Sequence, residues 1–156
     1  MLAIRRKYQE MKRYCYIELS IFTDRDFDPW QFYKILGIKP SFCKLSSKEE
    51  IVLLSRDWKA RLEEYINLAP QNTAENPLKP LNYYKITSPI FKENISEKIT
   101  NFIQKLKGKN ARVQKIQKMA SCFVVIYLCG NFEGLIPLEL ISYCHDNSIR
   151  LGIDSN

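Results

Sequence analysis

From Tyr14 to Phe22 the chain reads YCYIELSIF, with Cys15, Ile17, Leu19 and Ile21 in one set of alternate positions and Tyr14, Tyr16 and Glu18 in the other. A period of two rich in aromatic and β-branched residues predicts a half-buried strand. TDRDFDPW follows as a turn, and Asp28 before Pro29 marks a helix start with proline at the first helical position. The short helix expected over Pro29–Leu36 stops at Gly37, which accepts a left-handed cap without strain.

The period then lengthens. Ser46 and Ser47 each stand three residues ahead of a glutamate, Glu49 and Glu50, which is capping-box spacing. Ile51, Leu54, Trp58, Leu62, Tyr65 and Ala69 recur at steps of three and four. One capped amphipathic helix is therefore expected over 47–69, with Asp57–Arg61 and Lys59–Glu63 as pairs on its outer side and Pro70 as its stop. PQNTAENPLKPL, residues 70–81, has three prolines and no periodicity, and reads as a loop.

NYYKITS (82–88) predicts a strand ended by Pro89. A helix from about Asn94, with Glu97 three residues on, carries Ile95, Ile99, Phe102, Ile103 and Leu106 as far as Gly108. A shorter helix follows, with Val113, Ile116 and Met119–Ala120 as its buried side. SCFVVIYLCG (121–130) is continuous enough for a central strand buried on both faces. Leu138–His145 is a short helix after Pro137, and IRLGID (149–154) a closing strand. The order β-α-α-β-α-α-β-α-β predicts an α+β fold, a single mostly antiparallel sheet of about four strands packed with helices. The expected organisation is one domain over 1–156, with 1–13 as a basic extension and the helix plus loop of 46–81 as a candidate insertion.

Composition adds bounds. With 46% hydrophobic and 26% charged residues, the chain has the make-up of an ordinary globular protein. Its longest apolar run, Cys122 to Cys129, is far below the ~20 residues that span a bilayer. The start MLAIRRKYQEMKRY has no apolar core or small-residue cleavage site of a secretory signal. Five cysteines (Cys15, Cys43, Cys122, Cys129, Cys144), an odd number with no CxxC pair, fit free thiols in a reducing compartment. A cytoplasmic protein with no membrane partner is expected.

Charge changes the picture most. The chain carries a net +7, and the stretch from Lys98 to Lys118 alone holds six lysines, one arginine and no acid. Lys105, Lys107, Lys109, Arg112, Lys115 and Lys118 are the candidate partner-binding residues. Such a run suits a solvated helix face, a docking surface for an acidic protein, or nucleic acid. Proteins that grip single strands interleave cations with aromatics, yet no aromatic lies between Lys105 and Lys118. Lys105 and Lys107 also answer the negative end of the helix they close.

The sequence offers little catalytic chemistry. His145 is the lone histidine, which excludes a multi-histidine metal site, and at a helix end it reads as a dipole-complementing residue. Cys144 and His145 are adjacent on a helix and point about 100° apart, a poor dyad. No phosphate-cradling glycine loop and no nucleophile elbow are present. Asp24, Asp26 and Asp28 read as turn and cap chemistry. No catalytic residue, metal or cofactor is expected.

Three stretches together bring a family into view. FTDRDFDPWQFYKILGIKP sets Asp24, Asp26, Phe27, Asp28, Pro29, Leu36, Gly37, Ile38 and Pro40 in a strand–turn–helix leading to LGI-x-P. YYKITSP precedes an amphipathic helix, and NFEGLIPLELISYCHDNSIRLGID closes on Ile153–Asp154. Read together, these resemble the bacterial domain-of-unknown-function family 4279 over about two-thirds of the chain. Tyr83 or Tyr84 stands where that family has a middle-strand tryptophan. The family contributes no catalytic residues, and its members resemble immunity proteins of toxin–immunity pairs, including contact-dependent growth inhibition. The resemblance implies a non-catalytic protein that binds and neutralises a cognate toxin domain, here one with an acidic surface. The alternative is an RNA- or DNA-binding module using the basic 98–118 segment.

Overall fold

Strand parity organises the structure. The computed structural model describes residues 15–45, 48–69, 82–119, 121–130 and 136–154. The strands are β1 (Tyr16–Thr23), β2 (Phe42–Lys44), β3 (Ile51–Val52), β4 (Asn82–Thr87), β5 (Cys122–Cys129) and β6 (Arg150–Asp154). The helices are α1 (Pro29–Leu36), α2 (Trp58–Asn67), α3 (Ile95–Lys107), α4 (Asn110–Gln117) and α5 (Leu138–Asp146). On β1 the predicted inner set Ile17, Leu19 and Ile21 is buried, but the strand expected to be half-buried also buries Glu18, Ser20 and Phe22 on its other side. Tyr84 and Ile86 on β4 and Val124, Ile126 and Leu128 on β5 are buried as well. None of the described helices is long and apolar enough to cross a membrane.

The fold is α+β, but the sheet differs from the expected four mostly antiparallel strands. It is one mixed sheet of six, in the order β3-β2-β4-β1-β5-β6. β2 runs antiparallel to β3 and β4, whereas β5 and β6 are parallel. The two strands the sequence did not reveal, β2 and β3, have three and two residues, too few to establish a period. The parallel pair follows from connectivity: a helix, α5, carries the chain from the end of β5 back to the start of β6.

The helix expected over 47–69 is also corrected. Ile51–Val52 is strand, and the helix begins only at Trp58. Leu53 is fully buried while Leu54 is 61% exposed, an alternation that belongs to extended backbone. The Leu53 N–H donates to the Ser41 carbonyl at 2.8 Å, which holds this stretch beside β2. β-branched Ile51 and Val52 favour that outcome. The capping serines Ser46 and Ser47, the loop 70–81, Ala120 and the extension 1–13 lie outside the described residues. β5, expected to be buried on both faces, leaves Phe123 44% exposed.

Contacts group the described residues into two compact units, 15–19, 87–111, 125–130 and 136–154 in the first, and 20–45, 48–69, 82–86, 112–119 and 121–124 in the second. In the first, α3 buries Ile99, Phe102, Ile103 and Leu106 and packs on α5, which buries Leu140, Tyr143 and Cys144. Val125 to Cys129 pair with Arg150 to Asp154. Gly152 lies opposite Tyr127, and a Cβ there would stand 2.5 Å from the tyrosine ring, so the ring occupies the space a side chain would need. Gly108 separates α3 from α4 with an ordinary right-handed backbone.

In the second unit the predicted caps form. Asp28 Oδ1 accepts from the Trp30 N–H at 3.0 Å, and Gly37 takes the left-handed conformation and donates to the Tyr33 carbonyl at 2.7 Å. Cys43, Leu45, Leu53, Leu62 and Tyr65 form a core that joins α2 to β2 and the β3 segment. Tyr65 secures it. Its hydroxyl accepts from the Leu45 N–H at 3.0 Å and donates to the Glu49 carbonyl at 2.8 Å. Lys48 Nζ donates in turn to the last-turn carbonyls of Tyr65 (3.0 Å) and Ile66 (2.9 Å), satisfying acceptors that the helix leaves open.

Replacing Tyr65 with Phe keeps the ring and removes the bridge, leaving the Leu45 N–H without its acceptor. The expected loss is about 1–3 kcal/mol of unfolding free energy, measured by urea denaturation. An unchanged midpoint and slope would show that the bridge contributes nothing.

Candidate functional site

The predicted basic segment forms two helices whose cations lie opposite buried stripes. Lys105 and Lys107 are exposed in the last turn of α3, whose Ile103 and Leu106 are buried, and Lys109 is half-buried in the turn that follows. These three belong to the first unit. Arg112 and Lys115 are exposed on α4 against buried Val113 and Ile116, with Lys118 exposed just beyond, and these three belong to the second unit. Arg112 is also engaged within the chain, its Nη1 donating to the Leu36 carbonyl at the end of α1 over 3.4 Å. That long bond places a cation at a helix C-terminus, where the dipole favours it.

The groups weighed for catalysis sit where the sequence placed them. Asp28 caps α1, while Asp24 and Asp26 are exposed. His145 is solvated at the end of α5, 3.5 Å from the carboxylate of Asp146, and Cys144 beside it is buried. Among the described residues no group of three or more His, Cys, Asp or Glu is placed to hold a metal ion.

Burial raises the pKa of several thiols and phenols. It pushes Cys43 up to about 12, with the Glu50 carboxylate adding to the effect, and Cys144 up to about 11. Cys15 and Cys122 are raised for the same reason, as are Tyr65 and Tyr143, each to about 12. At neutral pH these groups are held protonated, the inert condition for a thiol.

Two features escaped sequence reasoning. The first is an aromatic knot in the second unit: the rings of Trp30 and Trp58 lie 6.1 Å apart, with Tyr33 edge-on to Trp58 at 5.1 Å. The Lys59 ammonium sits 5.6 Å from the Trp58 ring and 5.7 Å from that of Tyr33. All three rings are half-buried, the condition of an interface anchor.

The second is the outer face of the sheet in the same unit. Register sets Phe42 opposite both Val52 and Lys85, and Lys44 opposite Tyr83. Phe22 of β1 stacks on Phe123 of β5 with centroids 5.2 Å apart, and meets Tyr83 edge-on at 6.2 Å. The Lys85 ammonium lies 4.4 Å from the Tyr83 ring and 5.6 Å from that of Phe22. The Tyr83 hydroxyl donates to the Glu50 carboxylate. This row crosses five strands and interleaves cations with aromatics, the arrangement the 105–118 stretch lacks. Its members come from five separated segments, so only strand order brings them together.

A cleft of about 730 Å³ in the first unit is lined by Lys107, Asn110, Glu139, Tyr143 and Asp146 among others. The Tyr143 hydroxyl and the side-chain amide oxygen Oδ1 of Asn110 there are buried without a hydrogen-bond partner. Its walls carry one lysine and two carboxylates, Lys107 with Glu139 and Asp146.

The raised thiol and phenol values set a pH dependence. The unfolded chain releases these protons near the ordinary 9.0 of cysteine and 10.0 of tyrosine, and the folded chain only near 11–12. Above about pH 9 the unfolded state therefore binds fewer protons, so stability is full below that pH and falls as it rises. Denaturant titrations from neutral pH to about pH 10.5 are expected to show that decline, shallower in Cys43→Ala. A flat profile would contradict it. No protein-family model, curated protein or solved structure matches the chain.

Proposed function

We propose that this chain is a non-catalytic immunity-type protein that binds a cognate bacterial toxin domain in the cytoplasm and neutralises it by occupancy, without a cofactor. The observation that carries this reading is the stretch of cations without an intervening acid, Lys105, Lys107, Lys109, Arg112, Lys115 and Lys118, on two helices and the turns that follow them. All but Lys109 are exposed, on helices whose opposite sides are committed to the core. An acidic toxin surface is the complementary partner. Opposed charges accelerate encounter and fix orientation, while affinity comes from a few desolvated anchors. The Trp30–Tyr33–Trp58 knot supplies anchors of the favoured residue types.

The test is a charge-reversal set, Lys109→Glu, Arg112→Glu and Lys115→Glu, assayed against the cognate toxin domain. The association rate is expected to fall by about tenfold or more at low salt, with the gap closing as salt rises. Cells expressing the variant should lose protection in proportion. An unchanged rate in a variant with an unaltered thermal melt would remove these residues from the interface.

A further inference from the structure

We propose that the outer sheet face of the second unit is a platform for single-stranded nucleic acid, with bases stacking on Phe123 and Phe42 and phosphates meeting Lys44 and Lys85. The inference goes beyond toxin neutralisation and uses none of the helical cations. It rests on three observations. First, the face is aromatic where water reaches it: Phe123 is 44% exposed, and Phe42 and Tyr83 are half-buried. Second, the rings are held in place. Phe22, itself only 7% exposed, backs Phe123 at 5.2 Å and Tyr83 at 6.2 Å, so an incoming base meets rings already ordered. Third, the cations stand among the rings, Lys85 opposite Phe42 and Lys44 opposite Tyr83.

Charge and geometry favour this occupant. Lys44 and Lys85 are diagonal neighbours across β2 and β4, about 7–8 Å apart at the backbone. Glu50 is one acid beside this row, and its carboxylate accepts a hydrogen bond from the Tyr83 hydroxyl. From β2 through β4 and β1 to β5 are three strand-to-strand steps, about 14 Å in all. That width suits the two or three bases that an RNA-binding sheet stacks. A duplex hides the faces of its bases inside its own stack, so a ring platform selects unpaired strands.

The test uses the full chain and fluorescein-labelled oligonucleotides of about 20 nucleotides, a uridine homopolymer, a thymidine homopolymer and a mixed duplex, followed by anisotropy. A single strand is expected to bind about tenfold or more tighter than the duplex. Phe123→Ala should weaken single-strand binding about 5- to 100-fold, and Phe123→Trp should retain it. The pair Lys44→Gln and Lys85→Gln should lower the logarithmic salt slope by about 1.4. Arg112→Glu with Lys115→Glu should keep the preference for single strands. The proposal is overturned if the chain binds no oligonucleotide at low salt, if the duplex binds as tightly, or if Phe123→Ala binds like the wild type. Toxin neutralisation by Phe123→Ala is scored in parallel and stays intact, so the two readings fail separately.

Discussion

Everything in this structure depends on the parity of its strands. Ile17, Leu19 and Ile21 are within 1% of full burial, and a one-residue slip of β1 would put Glu18 and Ser20 in their places in the apolar core. In the second unit the same parity is enforced by ring and core contacts. Phe32 of α1 meets Tyr84 of β4 edge-on at 5.7 Å, and Leu62 and Tyr65 of α2 pack with Cys43 and Leu53. Tyr84 completes its position by donating its hydroxyl to the Ile38 carbonyl at 2.8 Å. On the strands, Cys43 and Tyr84 fix the direction of their neighbours, because the side-chain period there is two.

A strand that commits one set of residues to the core necessarily presents the other set elsewhere. Tyr84 and Ile86 are buried, so Tyr83 and Lys85 share the opposite side; Cys43 is buried, so Phe42 and Lys44 do as well. Two kinds of basic surface result. The helical cations have no aromatic residue interleaved among them along the chain and suit long-range attraction. On the sheet, Lys85 lies 4.4 Å and 5.6 Å from two ring centroids, where a ring and a charge act on the same ligand atom group. Different partners follow from those two chemistries.

Local signals made much of this legible. Asp28, Pro29 and Gly37 announced α1 with both caps, and the 3-and-4 spacing of Ile99, Phe102, Ile103 and Leu106 announced α3. What stayed hidden depended on contacts distant in sequence. Ile51, Leu54 and Trp58 satisfy helical spacing, yet pairing with Phe42 and Cys43 draws Ile51 and Val52 into the sheet, since ladder bonds outweigh a short stretch of helical pattern. The parallel β5–β6 pair was available from the strand–helix–strand run between Cys122 and Asp154, a connection that antiparallel neighbours do not need. At the candidate site, counting residues found the cations, but the tie from Arg112 to the Leu36 carbonyl spans 76 positions and has no local sign.

Phe123 is where the local and global patterns disagree. CFVVIYLC reads as a strand meant for burial on both faces, and Val124, Val125, Ile126, Leu128 and Cys129 obey. An exposed phenylalanine forgoes burial that the rest of the strand secures, at about 25 cal/mol for each Å² of apolar surface left in water. Sheet surfaces normally place threonine or a charge at such a position, which also discourages association between sheets. Stacking on Phe22 recovers part of that loss, and a cross-strand aromatic pair contributes roughly 0.2–1 kcal/mol. The remainder is unrecovered within the described residues. Sequences agree with their folds across levels except where a site demands otherwise. The exposed ring beside ordered aromatics and two lysines is therefore better explained by a ligand than by the stability of the sheet.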